Sequence, residues 1–164
     1  MYKVAVIMGS ASDEALVRPC VEILEQFGVS CFFTVSSAHR TPERTEKLVA
    51  DLEKGGCQVF ICAAGMAAHL AGAVSARTIR PVIGIPVSSG GLGGLDALLS
   101  TVMMPAGFPV GTLALDKAGA RNAGWMAAQI LALADGALAD KILAARRRMA
   151  EDVEKSAAEL EPGA

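Results

Sequence analysis

Short, continuously apolar runs alternate with amphipathic stretches along this chain. The runs are Val4–Met8, Cys31–Val35, Val59–Cys62, Val82–Val87 and Val110–Leu115. Runs that are apolar at successive rather than alternate positions predict strands covered on both faces, as in a parallel sheet. Between them the pattern predicts helices: from the turn Gly9–Asp13 to about Phe27, from Thr41 to Gly55–Gly56, from about Ala67 to Ala76, and from about Leu95 to Met103. A final pair is predicted at about Gly119–Ala134 and Gly136–Leu160. Gly28 is a helix stop, and Thr41-Pro42 is a helix start with Thr41 as N-cap and Pro42 at the first helical position. Pro86 falls near the end of its strand, where a lost backbone donor is tolerable. Five strands separated by helices predict an α/β three-layer sandwich around a doubly wound, five-stranded parallel sheet, with a long C-terminal helix. Ligands of such sheets bind beyond the carboxyl ends of the strands. No repeat, linker or low-complexity segment interrupts the pattern, which predicts one domain over residues 1–164, and Pro162-Gly163-Ala164 is expected to fray.

Composition narrows the picture. With 164 residues, 52% hydrophobic and 20% charged, the chain can bury a substantial core and is not of the disordered class. Mean hydropathy is +0.43, yet no apolar stretch of about 18 residues offers a membrane span. Met1-Tyr2-Lys3 runs straight into the first strand, so no signal peptide and a cytoplasmic location are expected. A net charge of −2 gives no support for broad nucleic-acid binding. Cys20, Cys31, Cys57 and Cys62 form no CxxC pair, and with two histidines in the chain they are read as small apolar side chains rather than metal ligands. Leu138, Ile142, Ala145, Met149 and Val153 recur at helical spacing in the last helix. That stripe suits either packing on its own domain or docking on a neighbouring subunit, and the helix length favours the latter. Arg146-Arg147-Arg148 reads as a solvated face.

Four strand-end loops carry candidate chemistry. Gly9-Ser10-Ala11-Ser12-Asp13 offers a tight turn, two hydroxyls and a helix N-terminus, suited to a phosphate or carboxylate. Asp13 would repel a phosphate and should face something else, such as a ribose hydroxyl; capping of the helix by Ser12 or Asp13 is the competing role. Neither G-x-G-x-x-G nor a P-loop motif occurs. Ser36 to Pro42 sets His39, able to give and take protons near neutral pH, beside Arg40, whose fork suits an anion. Ala64 to Leu70 is built of small residues that admit a ligand close to the backbone, and His69, within its predicted helix, reads by itself as a structural histidine. Ser88 to Gly94 is glycine-rich enough for a flap or for a surface against a flat ligand, with a plain flexible loop as the alternative.

Together these loops make the sequence recognisable. Met8-Gly9-Ser10-Ala11-Ser12-Asp13, Ser37-Ala38-His39-Arg40-Thr41-Pro42 and Ala67-Ala68-His69-Leu70 resemble, in order, the signature segments of the class I aminoimidazole ribonucleotide carboxylase family, the N5-carboxyaminoimidazole ribonucleotide mutases of purine biosynthesis. Pro86-Val87, Leu92-x-Gly-x-Asp96-x-Leu98, Met104-Pro105, Pro109-Val110-Gly111-Thr112 and Ala118-Gly119-Ala120-x-Asn122-Ala123 extend the match over roughly residues 3 to 135.

The resemblance implies a flavodoxin-like fold, an octameric assembly with sites shared between subunits, and no metal, nucleotide cofactor or ATP. It also implies transfer of a carboxylate from the exocyclic nitrogen of an imidazole ribonucleotide to ring carbon C4. Carried over by residue, it places Ser10, Ser12, Asp13 and Arg40 at the ribose phosphate. Ser37, Ala38 and His39 would lie at the imidazole, with His39 as the proton shuttle. Gly65, Ala67, Ala68 and His69 would line the carboxylate side, and the loop with Leu92 and Asp96 would close the pocket.

Three positions depart from the family's usual residues: Met66 for glycine, Ala71 for proline and Gly93 for serine. Class II relatives, which carboxylate aminoimidazole ribonucleotide with free CO2, usually carry lysine where Arg40 stands and lack the Ala67–Leu70 run. Those features favour class I, and the class II activity is the alternative. A flavodoxin-like binding module without catalysis is a third reading that the fold alone permits.

Overall fold

The five apolar runs pair into one all-parallel sheet in the order β2-β1-β3-β4-β5. The strands are β1 (Val4–Met8), β2 (Cys31–Val35), β3 (Val59–Gly65), β4 (Val82–Val87) and β5 (Gly111–Thr112). The helices are α1 (Glu14–Gln26), α2 (Pro42–Lys54), α3 (Leu70–Ser75), α4 (Leu95–Val102), α5 (Asp116–Ala132) and α6 (Gly136–Leu160). The computed structural model describes residues 1–161; the expectation for Pro162-Gly163-Ala164 lies outside them.

Alternation along each strand sends side chains to opposite faces. Val4, Val6 and Met8 of β1 join Ile61, Ile83 and Ile85 against α1, α5 and the first half of α6. Ala5 and Ile7 join Phe60, Cys62 and Val82 against α2 and α3. This is the expected three-layer sandwich. α1 and α5 approach closely because α5 presents Ala120, Ala123, Gly124, Ala127 and Ala128 inward. A methyl group at Gly124 would stand 2.9 Å from the Cys20 carbonyl. On the other face, α4 lies so close to β4 that a methyl group at Gly84 would meet Thr101.

Several boundaries differ from the sequence reading. β3 runs on to Gly65, because Ala63, Ala64 and Gly65 keep pairing with Ile85, Pro86 and Val87. β5 is two residues rather than six, since only Gly111 and Thr112 find partners, on Ile83 and Gly84. α3 starts at Leu70 rather than Ala67, and α5 starts at Asp116, earlier than Gly119. Thr41 does precede α2, with Pro42 at its start, but its hydroxyl does not cap the helix. It accepts instead from the Ser37 amide at 3.1 Å and donates to the Ser37 carbonyl at 3.0 Å, closing the preceding loop. Gly28 ends α1 at φ +74°, as a left-handed helix stop. In α6, Leu138, Ile142 and Ala145 are buried against the chain's own core, whereas Met149 and Val153 are exposed. No described helix is long and apolar enough to cross a membrane.

The cysteines are free thiols, three of them buried and Cys31 partly so. Burial raises the pKa of each, and Cys31 is pushed up to about 12. Keeping a thiol neutral stabilises the fold fully below the unfolded value near 9.0, and the contribution is lost as pH rises toward about 12. Denaturation midpoints should therefore fall through this alkaline range, and less steeply for Cys31→Ala; equal slopes would exclude that thiol as a cause. A second expectation concerns Gly119, where a methyl group would sit 2.1 Å from the Ala114 carbonyl. Gly119→Ala should cost about 1–3 kcal/mol in a urea titration; an unchanged midpoint would show that the start of α5 can shift.

Candidate active site

Because β1 lies between β2 and β3, the connection from β1 leaves to one side and the chain later returns on the other. The crevice at this divergence, outside the carboxyl ends, is where open α/β sheets take ligands. A cavity of about 550 Å³ occupies it, walled by the loops after β1, β2 and β3. The strand ends are drawn together there by a hydrogen bond from the Gly9 amide to the Ala63 carbonyl, 2.9 Å.

The loop after β1 forms a 3-10 turn, Ala11–Asp13, that runs directly into α1. Ser10 caps this turn by accepting from the Ser12 amide at 3.3 Å. The Ser12 hydroxyl donates to Asp13 at 3.0 Å and contacts the Ser10 hydroxyl at 2.8 Å. A hydroxyl has one proton, so Ser10 donates to Ser12 and the chain of bonds runs Ser10 to Ser12 to Asp13. Asp13 is buried, which ties it to the loop and not to bulk water. From the second loop, Arg40 reaches across to donate to the Gly9 carbonyl at 3.2 Å, and its amide donates to the Ser37 hydroxyl at 3.2 Å. A guanidinium, two hydroxyls and a helix start thus border one corner of the cavity, a suitable cradle for a phosphate.

The same cavity is lined by two imidazoles. His39 and His69 stack with ring centroids 5.9 Å apart and planes 16° from parallel. Both are exposed to the cavity side of the molecule. His69 is not the structural histidine of the sequence reading: with α3 starting at Leu70, it stands at the N-cap, outside the helix. Gly72, one turn on, leaves room for its ring, since a methyl group there would stand 3.4 Å from Nδ1.

Ser10, Ser12, Asp13, Ser37, Ala38, His39, Arg40, Gly65, Ala67 and His69 all line the cavity. Ala68, Leu92 and Asp96 do not. Ala68 is buried behind the wall, Leu92 projects into solvent from the glycine-rich loop, and Asp96 lies in the first turn of α4 with its Oδ1 buried and unpartnered among the described residues. Three participants escaped sequence reasoning. Gly9 supplies the carbonyl that holds Arg40. Ser89 lines the cavity and packs so tightly on Gly65 that a methyl group there would collide with its hydroxyl. Asp116 accepts from the Ser88 amide at 2.8 Å and from the Ser88 hydroxyl, fixing the root of the glycine-rich loop to the start of α5. It does so from φ +53°, a conformation that aspartate tolerates better than most residues.

A larger cavity of about 970 Å³ lies at the opposite, amino end of β4 and β5, among Ile79, Pro81, Phe108, Met126 and Ile130. It contains neither histidine, and Arg80 at its rim is paired with Glu53 at 3.3 Å. Both histidines of the chain line the smaller crevice instead.

Comparison with known proteins places the chain in a family. The AIR carboxylase family model matches residues 3–152. The N5-carboxyaminoimidazole ribonucleotide mutase of Haemophilus influenzae is 48% identical over 144 residues, 88% of either chain. Its Saccharolobus solfataricus counterpart is 50% identical over 153 residues, 93% of this chain and 96% of that one. The crystal structure of Treponema denticola PurE superposes with a TM-score of 0.88 at 26% identity, covering 96% of this chain and 98% of that one. On a match of this extent, the chain belongs to the AIR carboxylase family.

Proposed function

We propose that this protein is an N5-carboxyaminoimidazole ribonucleotide mutase, an isomerase of purine biosynthesis that moves the carboxylate from the exocyclic nitrogen to C4 of the imidazole. The observation that carries the reading is the single crevice lined by both an anion cradle and the stacked His39–His69 pair, in a chain 48% and 50% identical to proteins of that name.

The chemistry follows from what these groups can do. Ser10, Ser12 and Arg40 hold the ribose phosphate, and that remote binding fixes the ring in register. Asp13 orients Ser12 through its hydrogen bond. Cleavage of the N–CO2 bond releases CO2 and leaves the nitrogen to take a proton. The electron-rich aminoimidazole then attacks the trapped CO2 through C4, and C4 must lose its own proton. One group that donates to the nitrogen and later accepts from C4 balances both steps, and His39 takes that role. Ser37 and Ala38 flank the ring, while Gly65, Ala67 and His69 form the carboxylate side, with Ala68 buried behind them. Leu92 and Asp96 lie off the unliganded cavity, so their contribution requires the loop above it to close. No cofactor is required by this sequence of steps.

The same reading makes residues 1–164 one catalytic domain with a core of about 3–135. Residues of about 136–160 form a helix whose outer half, with Met149, Val153 and Leu160 exposed, packs on a neighbouring subunit of a cytoplasmic homo-octamer.

Mixing the protein with N5-carboxyaminoimidazole ribonucleotide without ATP should yield the C4-carboxylated isomer well above the uncatalysed rate. Faster use of aminoimidazole ribonucleotide with bicarbonate would instead assign the class II carboxylase. His39→Asn should keep ligand affinity within about tenfold while turnover falls by roughly 100-fold or more; near wild-type turnover would remove His39 from the chemistry. Arg40→Ala should raise KM for the phosphorylated substrate with a smaller change in kcat, and an unchanged KM would contradict its place in the cradle.

A further inference from the structure

Met66 is the residue of the crevice for which neither the fold nor the proton chemistry accounts. It follows β3 directly and sits at φ +55°, in the left-handed region. An L-residue held there costs about 1–2 kcal/mol. The local turn explains the conformation but not the side chain. The Met66 carbonyl accepts from the Ala68 amide at 2.8 Å, a tight reversal that swings the chain back toward His69. Glycine would make this turn without penalty. Strain kept at a ligand site points to a use for the group that carries it.

The surroundings show what the group does. Met66 lines the crevice while 63% exposed, so its thioether stands at the mouth and not in the wall. Beside it runs the glycine-rich loop, where a methyl group built on Gly90 would stand 4.0 Å from the Met66 Cγ. Methyl groups at Gly91 and Gly93 would touch nothing within 4 Å. This loop offers little side-chain bulk of its own beyond Leu92, which points away into solvent. The apolar bulk on this rim comes from an unbranched, adaptable side chain able to follow the loop as it moves.

We propose that Met66 is the apolar stopper of the crevice, closing the gap between the end of β3 and the glycine-rich loop so that released CO2 stays over the ring until C4 captures it. The inference rests on the mutase reading. When the stopper fails, the carbamate C–N bond still breaks and the nitrogen still takes its proton, but CO2 escapes and aminoimidazole ribonucleotide leaves in place of the carboxylated isomer. The effect is on the partition between two products, which general damage to the fold would not shift.

The test measures, per substrate consumed, the ratio of aminoimidazole ribonucleotide to C4-carboxylated product, with the uncatalysed decarboxylation subtracted. Met66→Gly relieves the strain and removes the bulk; Met66→Ala keeps the strain and removes the bulk; Met66→Leu keeps both. Glycine and alanine should each raise the leaked fraction by about fivefold, equivalent to roughly 1 kcal/mol in the partition, while leucine stays near wild type. Met66→Gly should also melt at a higher temperature than Met66→Ala. An unchanged partition in both small variants, or a rise in glycine alone, would overturn the stopper and leave the mutase reading standing. A wild-type protein that fails to isomerise the carbamate at all would overturn the mutase reading and this one with it.

Discussion

The whole site depends on β1 being sealed on both faces. Each of its residues from Val4 to Met8 is buried, so the strand has no free surface on which to display a reactive group. Its parallel neighbours β2 and β3 impose the same direction on three chain exits. Their loops must therefore leave from one edge, within reach of one another. The Gly9–Ala63 hydrogen bond sets how close those exits come, and the crevice is the space left between them. Residues scattered from Ser10 to Leu70 in the sequence come to line one cavity through this constraint, and Ser89 joins them from the end of β4.

Around that fixed floor, the loops are held by a few polar contacts rather than by a hydrophobic core. Arg40 ties the second loop to the first. Asp116 ties the glycine-rich loop to α5, and Gly65 lets Ser89 settle against β3. Each tie joins segments that follow different strands. The two left-handed non-glycine residues, Met66 and Asp116, both sit at these loops. Among the described residues, the left-handed non-glycine positions thus gather around the crevice and its loops, and none falls within the sheet.

The layered fold was legible because continuous apolar runs such as Val4–Met8 have few alternatives to a doubly covered parallel strand. Most of the cavity lining was legible because His39, Arg40 and the two serines fall at strand ends. What the sequence concealed was tertiary in origin. The early end of β5 reflects a lack of partners on β4, which no local propensity reports. Thr41 looked like a cap, but a nearer acceptor and donor, both on Ser37, claimed its hydroxyl. His69 looked structural because the helix was extended over it, when the turn at Met66 keeps it outside. Asp116 carried no signal, since its partner Ser88 lies 28 residues away. Of the three departures from the family's usual residues, two fall at left-handed positions: Met66 at φ +55° and Gly93 at φ +60°. The chain thus places a side chain where backbone freedom is usual and glycine where a side chain is usual, and residue type alone could not show that both sites share one geometry.

The directed bonds from Ser10 through Ser12 to Asp13 have a consequence for how an anion is received. In the unliganded loop both hydroxyl protons point inward, toward the carboxylate, and only lone pairs face outward from Ser10. An arriving anion cannot be greeted by those oxygens until the Ser10 rotor turns its hydrogen around. Rotation about a single C–O bond moves no heavy atom. For Ser10, the change from acceptor to outward donor is thus a reversal of hydrogen polarity and not a shift of the backbone.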